Sequence, residues 1–443
     1  VIFGGGASGL SLGLLTGAQI VEASPHPGGH AVSTVDQGYT FDRGPHIMFS
    51  RSKFLLDCMV QSLGRNVHTC TRNNKVYLNG SLGKYPIEND LAAFGPEFAS
   101  EALFDYVTGQ TTIANNTNPK NLAEWFKTNF GAALTEKYFR PYNEKVWKTP
   151  LEELSMTWAE RIPKPPIEDV IRGAVGVPTE GYLHQLFYQY PRIGGYSALM
   201  NSWARGLSDG HLLLNAPITR IRRLDAHLQY EVGGQSFKAA KIASTIPLAN
   251  LVNLFEGTPQ EIKQAVNRLR TNATVIVTLG FLGQDINQWT AVYVPEPEFL
   301  PNRLSWPAVF SPLNAPTGKF SVQAEIICPK LSDLSDLSDE MLVHHVHAGL
   351  LKRNLVPPDI ELDVAFVERF ELAYVVYTTG YERDVQLISD WYAKQGLHIH
   401  GRFGSHNYLN VDGCLAESIK LAKALGYPVA EHEVLRRFSS LGG

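Results

Sequence analysis

Apolar and polar positions along the 443-residue chain fall into stretches of different period, and these predict the elements. Val1-Ile2-Phe3 reads as a short strand, Gly4 to Gly9 as a glycine-rich break, and the apolar run behind it as a helix; Ile20-Val21-Glu22 is a second strand ending in an acid. The span from Gly9 to Glu22 leaves room for about two turns of that helix. Gly38 to Ser50 is extended, and Val76–Asn79 and Lys84–Ile87 read as two short strands around an Asn79-Gly80 turn. From Leu91 to Trp158 alternation gives way to helical spacing (Ala123, Phe126 and Phe130, then Leu134 and Phe139), which predicts a helical insertion.

After a break at Tyr190–Gly195, Tyr196–Leu207 reads as a helix. Leu212–Leu214, Ile218–Leu224 and Leu228–Val232 read as strands of a small sheet, and Ala240–Thr245 as a return to a parallel sheet. A helix over Glu261–Arg270 is followed by three β-rich runs, Val275–Leu282, Thr290–Val294 and Lys319–Cys328. Leu334–Asn354 is helical, Val364–Phe370 and Leu397–Ile399 are strands, and Gly413–Leu425 is the last clear helix. The acidic repeat from Leu331 reads as solvated turns and helix caps, and His344, His345 and His347 as a helix face without the spacing of a metal site.

Composition narrows the class. Hydrophobic residues make up 44 % and charged residues 19 %, as in a globular enzyme with a large core. A net charge of −4 gives no reason to expect nucleic acid. The longest apolar run, Ala273–Leu282, is too short to span a bilayer. The four cysteines, Cys58, Cys70, Cys328 and Cys414, lack metal-ligand spacing and read as free thiols of a reducing compartment, so a cytoplasmic location is expected. The chain starts inside its first strand without an initiator methionine, which suggests that residues precede Val1.

The first chemistry is in the opening turn. Gly4-Gly5-Gly6-Ala7-Ser8-Gly9 fills the G-x-G-x-x-G pattern directly after a strand, and Glu22 ends the next strand. Glycines there let the backbone approach a pyrophosphate at a helix N-terminus, and the acid can accept from a ribose hydroxyl. Gly4, Gly6, Ala7, Ser8, Gly9 and Glu22 are therefore candidate dinucleotide-binding residues, against the plain alternative of a common glycine turn. A second pair, Gly28-Gly29, follows the acid after Pro27.

Glu-x-x-x-x-Pro-Gly-Gly resembles the FAD-binding superfamily of amine oxidases, protoporphyrinogen oxidase and UDP-galactopyranose mutase. Further segments resemble the mutases most. Gly44-Pro45-His46-Ile47 is similar to their histidine loop, which places His46 against the flavin, although a lone histidine is more often a packing residue. Tyr138–Trp147, YFRPYNEKVW, resembles a mutase helix-end motif and puts Asn143 and Trp147 on the substrate side. Arg161 and Arg303 fall where the mutases hold a diphosphate, Tyr293 standing ten residues before Arg303. Either arginine alone reads as a surface residue; two planar forks suit a diphosphate. Tyr85 and Tyr374 match substrate-side tyrosines, but Val375 stands where the family has a proline, which leaves the loop there undefined. In GRFGSHNYLNVD the resemblance assigns Arg402 to the FAD pyrophosphate, Tyr408 to the substrate diphosphate, and Asp412 to the cofactor side.

The fold expected is α/β: a discontinuous Rossmann-type FAD-binding domain (1–90, 190–258 and 396–443), a helical insertion (91–189), and a mixed, mainly antiparallel substrate-side sheet (259–395). The resemblance implies a pyranose–furanose mutase of nucleotide sugars for polysaccharide precursors. Its cofactor is reduced FAD, whose N5 attacks the anomeric carbon, and His46, Arg161 and Arg303 serve catalysis. A nucleoside-diphosphate sugar, a flavin reductant and a possible homo-oligomer are the implied partners; no metal, nucleic acid or membrane span is expected. The alternatives are a flavin oxidoreductase with net hydride transfer and a flavin-binding protein without turnover.

Overall fold

The computed structural model describes residues 1–113, 119–162, 164–180 and 186–442. Ile2–Phe3 forms the centre of a five-stranded parallel sheet, in the order 397–399, 242–244, 2–3, 20–21, 212–213. Each strand is two or three residues long and flanked by buried apolar side chains, so the sheet is a short platform under the glycine turn. The helix behind the turn, Ala7–Thr16, has 10 residues, nearly three turns rather than the two expected. The left-handed Gly17 (φ 67°) ends it and brings the chain straight into Ile20–Val21, so no long loop is needed. Helix Val411–Ala424 packs beside it, and Ser11 Oγ donates to Ser418 Oγ at 2.8 Å between them.

Leu212–Leu213 extends this platform by pairing with Ile20–Val21, and so does not join the small sheet as expected. Asn215, in the left-handed region (φ 53°), then turns the chain away. The small antiparallel sheet is built from Ile218–Arg223, Leu228–Val232 and a strand not anticipated, Gln235–Ala239.

The second large sheet has seven strands, in the order 361–376, 270–282, 319–328, 303–305, 291–293, 74–78, 81–84. All neighbours are antiparallel except 291–293 with 74–78. Its last hairpin corrects the sequence reading, because the second strand is Ser81–Lys84, not Lys84–Ile87. Asn79 (φ 52°) and Gly80 (φ 82°) form a two-residue turn with both residues left-handed, which sets the register at once and uses up the strand before Pro86. Arg303–Ser305 was not anticipated either, being three residues between prolines. Tyr374 stands in the 16-residue strand Glu361–Val376 and not in a loop. Val375 lies in the ladder opposite Thr271, a position at which proline would remove a donor.

The helices Pro96–Ile113, Leu122–Leu134 and Arg140–Trp147 enclose an aromatic core of Trp125, Phe126, Phe130 and Phe139, with Phe126 stacked on Phe139 at 4.4 Å. Tyr85, Tyr293, Tyr374 and Tyr408 belong to or pack against this same core, which ties the helices to the seven-stranded sheet. Among the described residues no helix is long and apolar enough to cross a membrane, and no cluster of metal-ligating side chains occurs. His345 stacks on Phe299 and accepts from Leu300 N–H, so part of the histidine face is packed rather than exposed.

Candidate active site

A cavity of about 950 Å³ runs from the glycine turn to the seven-stranded sheet. Gly4, Gly6, Ala7, Ser8, Glu22, Gly28 and Gly29 line one part of it. Gly9 lies under the turn, where a Cβ would sit 1.9 Å from the Gly4 carbonyl oxygen, so any side chain would force the strand and helix apart. Gly28 has φ +112°, and a Cβ there would meet Val32 at 2.8 Å. Glu22 accepts from Gly5 N–H at 2.5 Å and from Ser24 N–H at 2.7 Å, which fixes its carboxylate at the cavity edge.

His46 lines the cavity, its ring 5.2 Å from Tyr196. Burial, with Arg402 nearby, pushes its pKa down to about 3, so it is a neutral imidazole at physiological pH. His30, also in the wall, is pushed down to about 4 by burial and then by Arg402 and Arg43. Arg402 lies over Tyr408 at 4.0 Å, and its Nη2 donates to the Ala373 carbonyl at 3.0 Å.

The other part of the wall is organised by strand register. Tyr293 is directly opposite Arg303, and Arg303 directly opposite Glu325. Residues opposite one another across strands project from the same face, so the three form one row on the cavity side. Arg303 Nε donates to Glu325 Oε2 at 2.8 Å, and Tyr374 Oη to Glu325 Oε1 at 2.5 Å. Burial pulls the Arg303 pKa down, but Glu325 together with Tyr374, Tyr293 and Tyr142 holds the guanidinium well above its ordinary value. Arg161 reaches the cavity from the helical insertion. Its Nη2 donates to the Tyr408 carbonyl at 2.7 Å and its guanidinium lies 4.7 Å from the Tyr408 ring. Tyr374 and Tyr408 stack at 5.9 Å with 22° between planes, so they bridge the two arginines.

Besides Gly9 under the turn, four expected residues are outside the wall. Asn143 and Trp147 stand one layer behind it: Asn143 Nδ2 donates to the Phe139 carbonyl, Trp147 Nε1 donates to Asn143 Oδ1, and the Trp147 ring meets the edges of Tyr374 and Tyr408. Tyr85 packs on Tyr293 at 4.8 Å and lines a small adjoining pocket with Arg72 and Asn74. Asp412 is in the first turn of helix Val411–Ala424, beside the wall residues Val411 and Cys414.

The structure also brings in residues that the sequence reading passed over. Arg43 stands one residue before the Gly44-Pro45-His46 loop, a position that could have marked it. Glu325 is a lone acid in the apolar strand Lys319–Cys328, and that misfit was its signal. Arg72, over Phe49 at 5.5 Å, had no such signal. Arg43 Nε, Arg402 Nε and His46 Nδ1 are buried in this wall without a hydrogen-bond partner among the described residues. Buried donors of this kind require acceptors. With the side-chain-free glycine turn, they fit an elongated, anionic, hydrogen-bonding cofactor.

Solved structures share this fold. A reduced UDP-galactopyranose mutase superimposes with a TM-score of 0.88 at 22 % identity, over 100 % of this chain and 98 % of that one. A putative protoporphyrinogen oxidase from Exiguobacterium sp. gives 0.75 at 19 % identity, covering 98 % of both chains. Cyclohexylamine oxidase from Brevibacterium oxydans gives 0.66 at 13 % identity, over 96 % of this chain and 98 % of that one. Residues 16–352 match the family model described as flavin containing amine oxidoreductase. The chain belongs to that flavoenzyme family.

Proposed function

We propose that this flavoenzyme is a nucleotide-sugar pyranose–furanose mutase using FAD. The observation that supports this most is the pair Arg161 and Arg303, which reach one cavity from distant segments and flank the Tyr374–Tyr408 stack. Gly4 to Gly9, Gly28-Gly29, Glu22, Arg43 and Arg402 are the groups that would hold FAD; reduced FAD supplies a nucleophile for a ring isomerisation with no net redox change. The chain's own part is to bind and orient a diphosphate leaving group. Arg161 and Arg303 supply planar donors to phosphate oxygens, and Tyr293, Tyr374 and Tyr408 supply hydroxyls. Neutral His46 leaves the flavin region without an additional charge. An amine-oxidase reading fits less well, because Arg72 and Arg161 in the wall have no carboxylate partner among the described residues and would repel a cationic amine.

The test uses the holoenzyme reduced with dithionite under nitrogen. UDP-hexopyranoses should interconvert with their furanose forms while the flavin stays reduced. Arg161→Ala should keep its flavin and lose about ten- to a hundredfold in UDP affinity, since a charge-assisted bond contributes about 1.5–3 kcal/mol. Failure of the wild type to bind any nucleoside diphosphate, or stoichiometric flavin reduction by an amine, would overturn the proposal.

A further inference from the structure

The loop between Tyr293 and Arg303 is wound around a single side chain. Residues 294–302 join the two short strands without regular structure, and three of the nine are prolines, Pro295, Pro297 and Pro301. Proline has no N–H, so the loop holds more carbonyls than donors to satisfy them. Lys145, in helix Arg140–Trp147, supplies the missing donors. Its Nζ donates to the carbonyls of Val294, Glu296, Phe299 and Pro301 at 2.9, 2.8, 2.6 and 2.7 Å. An ammonium has three protons, so the four oxygens share them around one positive charge. Without that charge four carbonyl dipoles would face one another across the same point. Burial pulls the Lys145 pKa down to about 7, Glu296 and Glu298 opposing and Lys148 and Arg353 adding to the fall. At pH 6 the group is therefore an ammonium.

Both ends of this loop are in the site. Val294 N–H donates to the Asn302 carbonyl at 3.0 Å, and Asn302 N–H to the Glu325 carbonyl at 3.0 Å, so the loop closes directly behind the Tyr293–Arg303 pair. Lys145 itself is not among the residues of the cavity wall. We propose that Lys145 is a positioning residue: its ammonium holds the loop in the shape that sets Arg303, with Tyr293 beside it, against the diphosphate. The inference rests on the nucleotide-sugar reading above for the identity of the ligand. The outer face of the loop has other anchors. Phe299 lies under Arg353 at 4.2 Å and stacks on His345, which also accepts from Leu300 N–H, at the side of helix Asp339–Lys352. Loss of the charge at Lys145 should therefore shift the loop away from helix Arg140–Trp147 without detaching it, and carry Arg303 with it.

The experiment is a double-mutant cycle on UDP affinity of the holoenzyme, by calorimetry at about pH 6 and fixed salt, with flavin absorbance as the check that each variant is folded. Lys145→Met should keep its flavin and bind UDP about tenfold more weakly, one decade of Kd. Combined with Arg161→Ala it should cost the same tenfold again, because Arg161 reaches the cavity from another segment. Combined with Arg303→Ala it should cost no more than about threefold, the share of the Tyr293 hydroxyl. Wild-type UDP affinity in Lys145→Met overturns the proposal whatever happens to thermal stability, since the lysine would then only pack the loop. A full tenfold loss in the Arg303→Ala background also overturns it, since the lysine would act on the ligand by another route. Should Lys145→Met lose its flavin, alone or in a pair, Lys145→Gln takes its place under the same criteria: its amide keeps two donors but is neutral and one bond shorter. A wild type that binds no UDP overturns the nucleotide-sugar reading and this inference with it, whereas wild-type binding with an unaffected Lys145 variant overturns this inference alone.

Discussion

Around Gly4–Gly9 and Gly28-Gly29 the cavity wall is mostly backbone, held by the absence of side chains; along Tyr293, Arg303 and Glu325 it is mostly side chain, held by strand register. The first region reads from one contiguous segment, because a strand, a tight turn and a helix within some twenty residues build it. The second is assembled from residues brought together by a seven-stranded sheet and an inserted helix bundle. A backbone-built site tolerates no added atoms, whereas a side-chain-built site can be retuned one residue at a time. The two regions should therefore fail differently.

The largest effect is expected in the backbone-built region. Gly9→Val should eliminate flavin binding, because its Cβ would sit 1.9 Å from the Gly4 oxygen and neither group is a flexible side chain. The measurement is flavin absorbance after desalting, with circular dichroism to follow the fold. Retention of a full complement of flavin would mean that the turn does not work by close backbone approach, and the contrast between the regions would collapse.

Legibility in the sequence follows the same division. The turn, Glu22 and the second glycine pair were readable because each is a local pattern with a backbone reason. His46, Arg161 and Arg303 could be picked out only through resemblance, since no local rule marks an arginine as facing a cavity. The partner of Arg303 could not be found that way: Glu325 lies 22 residues on, and only the register of Arg303–Ser305, a strand too short to recognise, places them opposite each other. Helix Tyr381–Lys394 was passed over although Asp384, Ile388 and Tyr392 are buried at four-residue spacing, because two of the three are polar or half-polar types. Leu212–Leu213 was misassigned because two apolar residues fit either sheet.

In the side-chain region the next largest effect should come from breaking the buried pair. Arg303→Ala leaves Glu325, its side chain 7 % exposed, without its cation. Stability should fall by about 3 kcal/mol, the lower end of the range for a broken buried pair, because Arg303 is partly open to the cavity. Removing the orphan as well, in Arg303→Ala with Glu325→Ala, should restore most of that loss while UDP affinity stays low. Denaturant unfolding and calorimetric titration separate the two readouts. If the double variant is as unstable as the single one, the pair does not behave as a buried charge pair.

A pH effect of similar size is expected at Glu88, in the part of the molecule that backs this wall. Glu88, 2 % exposed beside the helical insertion, has no ion-pair partner among the described residues, and burial pushes its pKa up from 4.5 to about 7. The folded state then holds a proton that the unfolded state has lost. The contribution of this group to stability is full below about pH 4.5 and is lost as pH rises to about 7, by on the order of 3 kcal/mol at about 1.36 kcal/mol per unit. The difference in unfolding free energy between wild type and Glu88→Gln should carry that slope from pH 5 to pH 8, because Asp42 and the buried histidines titrate in both proteins. A difference that stays flat with pH would assign the slope to other groups.

The smallest effect on ligand binding is expected at Asn143, one layer behind the side-chain wall. Its amide donates to the Phe139 carbonyl at 2.7 Å and accepts from Trp147 Nε1 at 3.3 Å, and its own surface is 8 % exposed. Both partners are buried parts of the helical insertion, so the bonds hold the end of helix Arg140–Trp147 in shape. Trp147 in turn meets the edges of Tyr374 and Tyr408 at 6.0 and 6.2 Å between ring centroids. Asn143→Ala leaves the Trp147 nitrogen unpaired and removes the second donor from the Phe139 carbonyl, which should cost about 1–3 kcal/mol of stability. The tyrosine stack is also held by Arg161, Arg303 and Arg402, so its displacement should be slight. UDP affinity should stay within about threefold of wild type, less than 0.7 kcal/mol. Thermal unfolding and UDP titration on the same sample give both numbers. The opposite pattern, a tenfold or greater loss of UDP binding with unchanged stability, would put Asn143 in direct contact with the ligand. The division between wall and supporting layer would then have to be redrawn around a ligand that reaches deeper into the insertion.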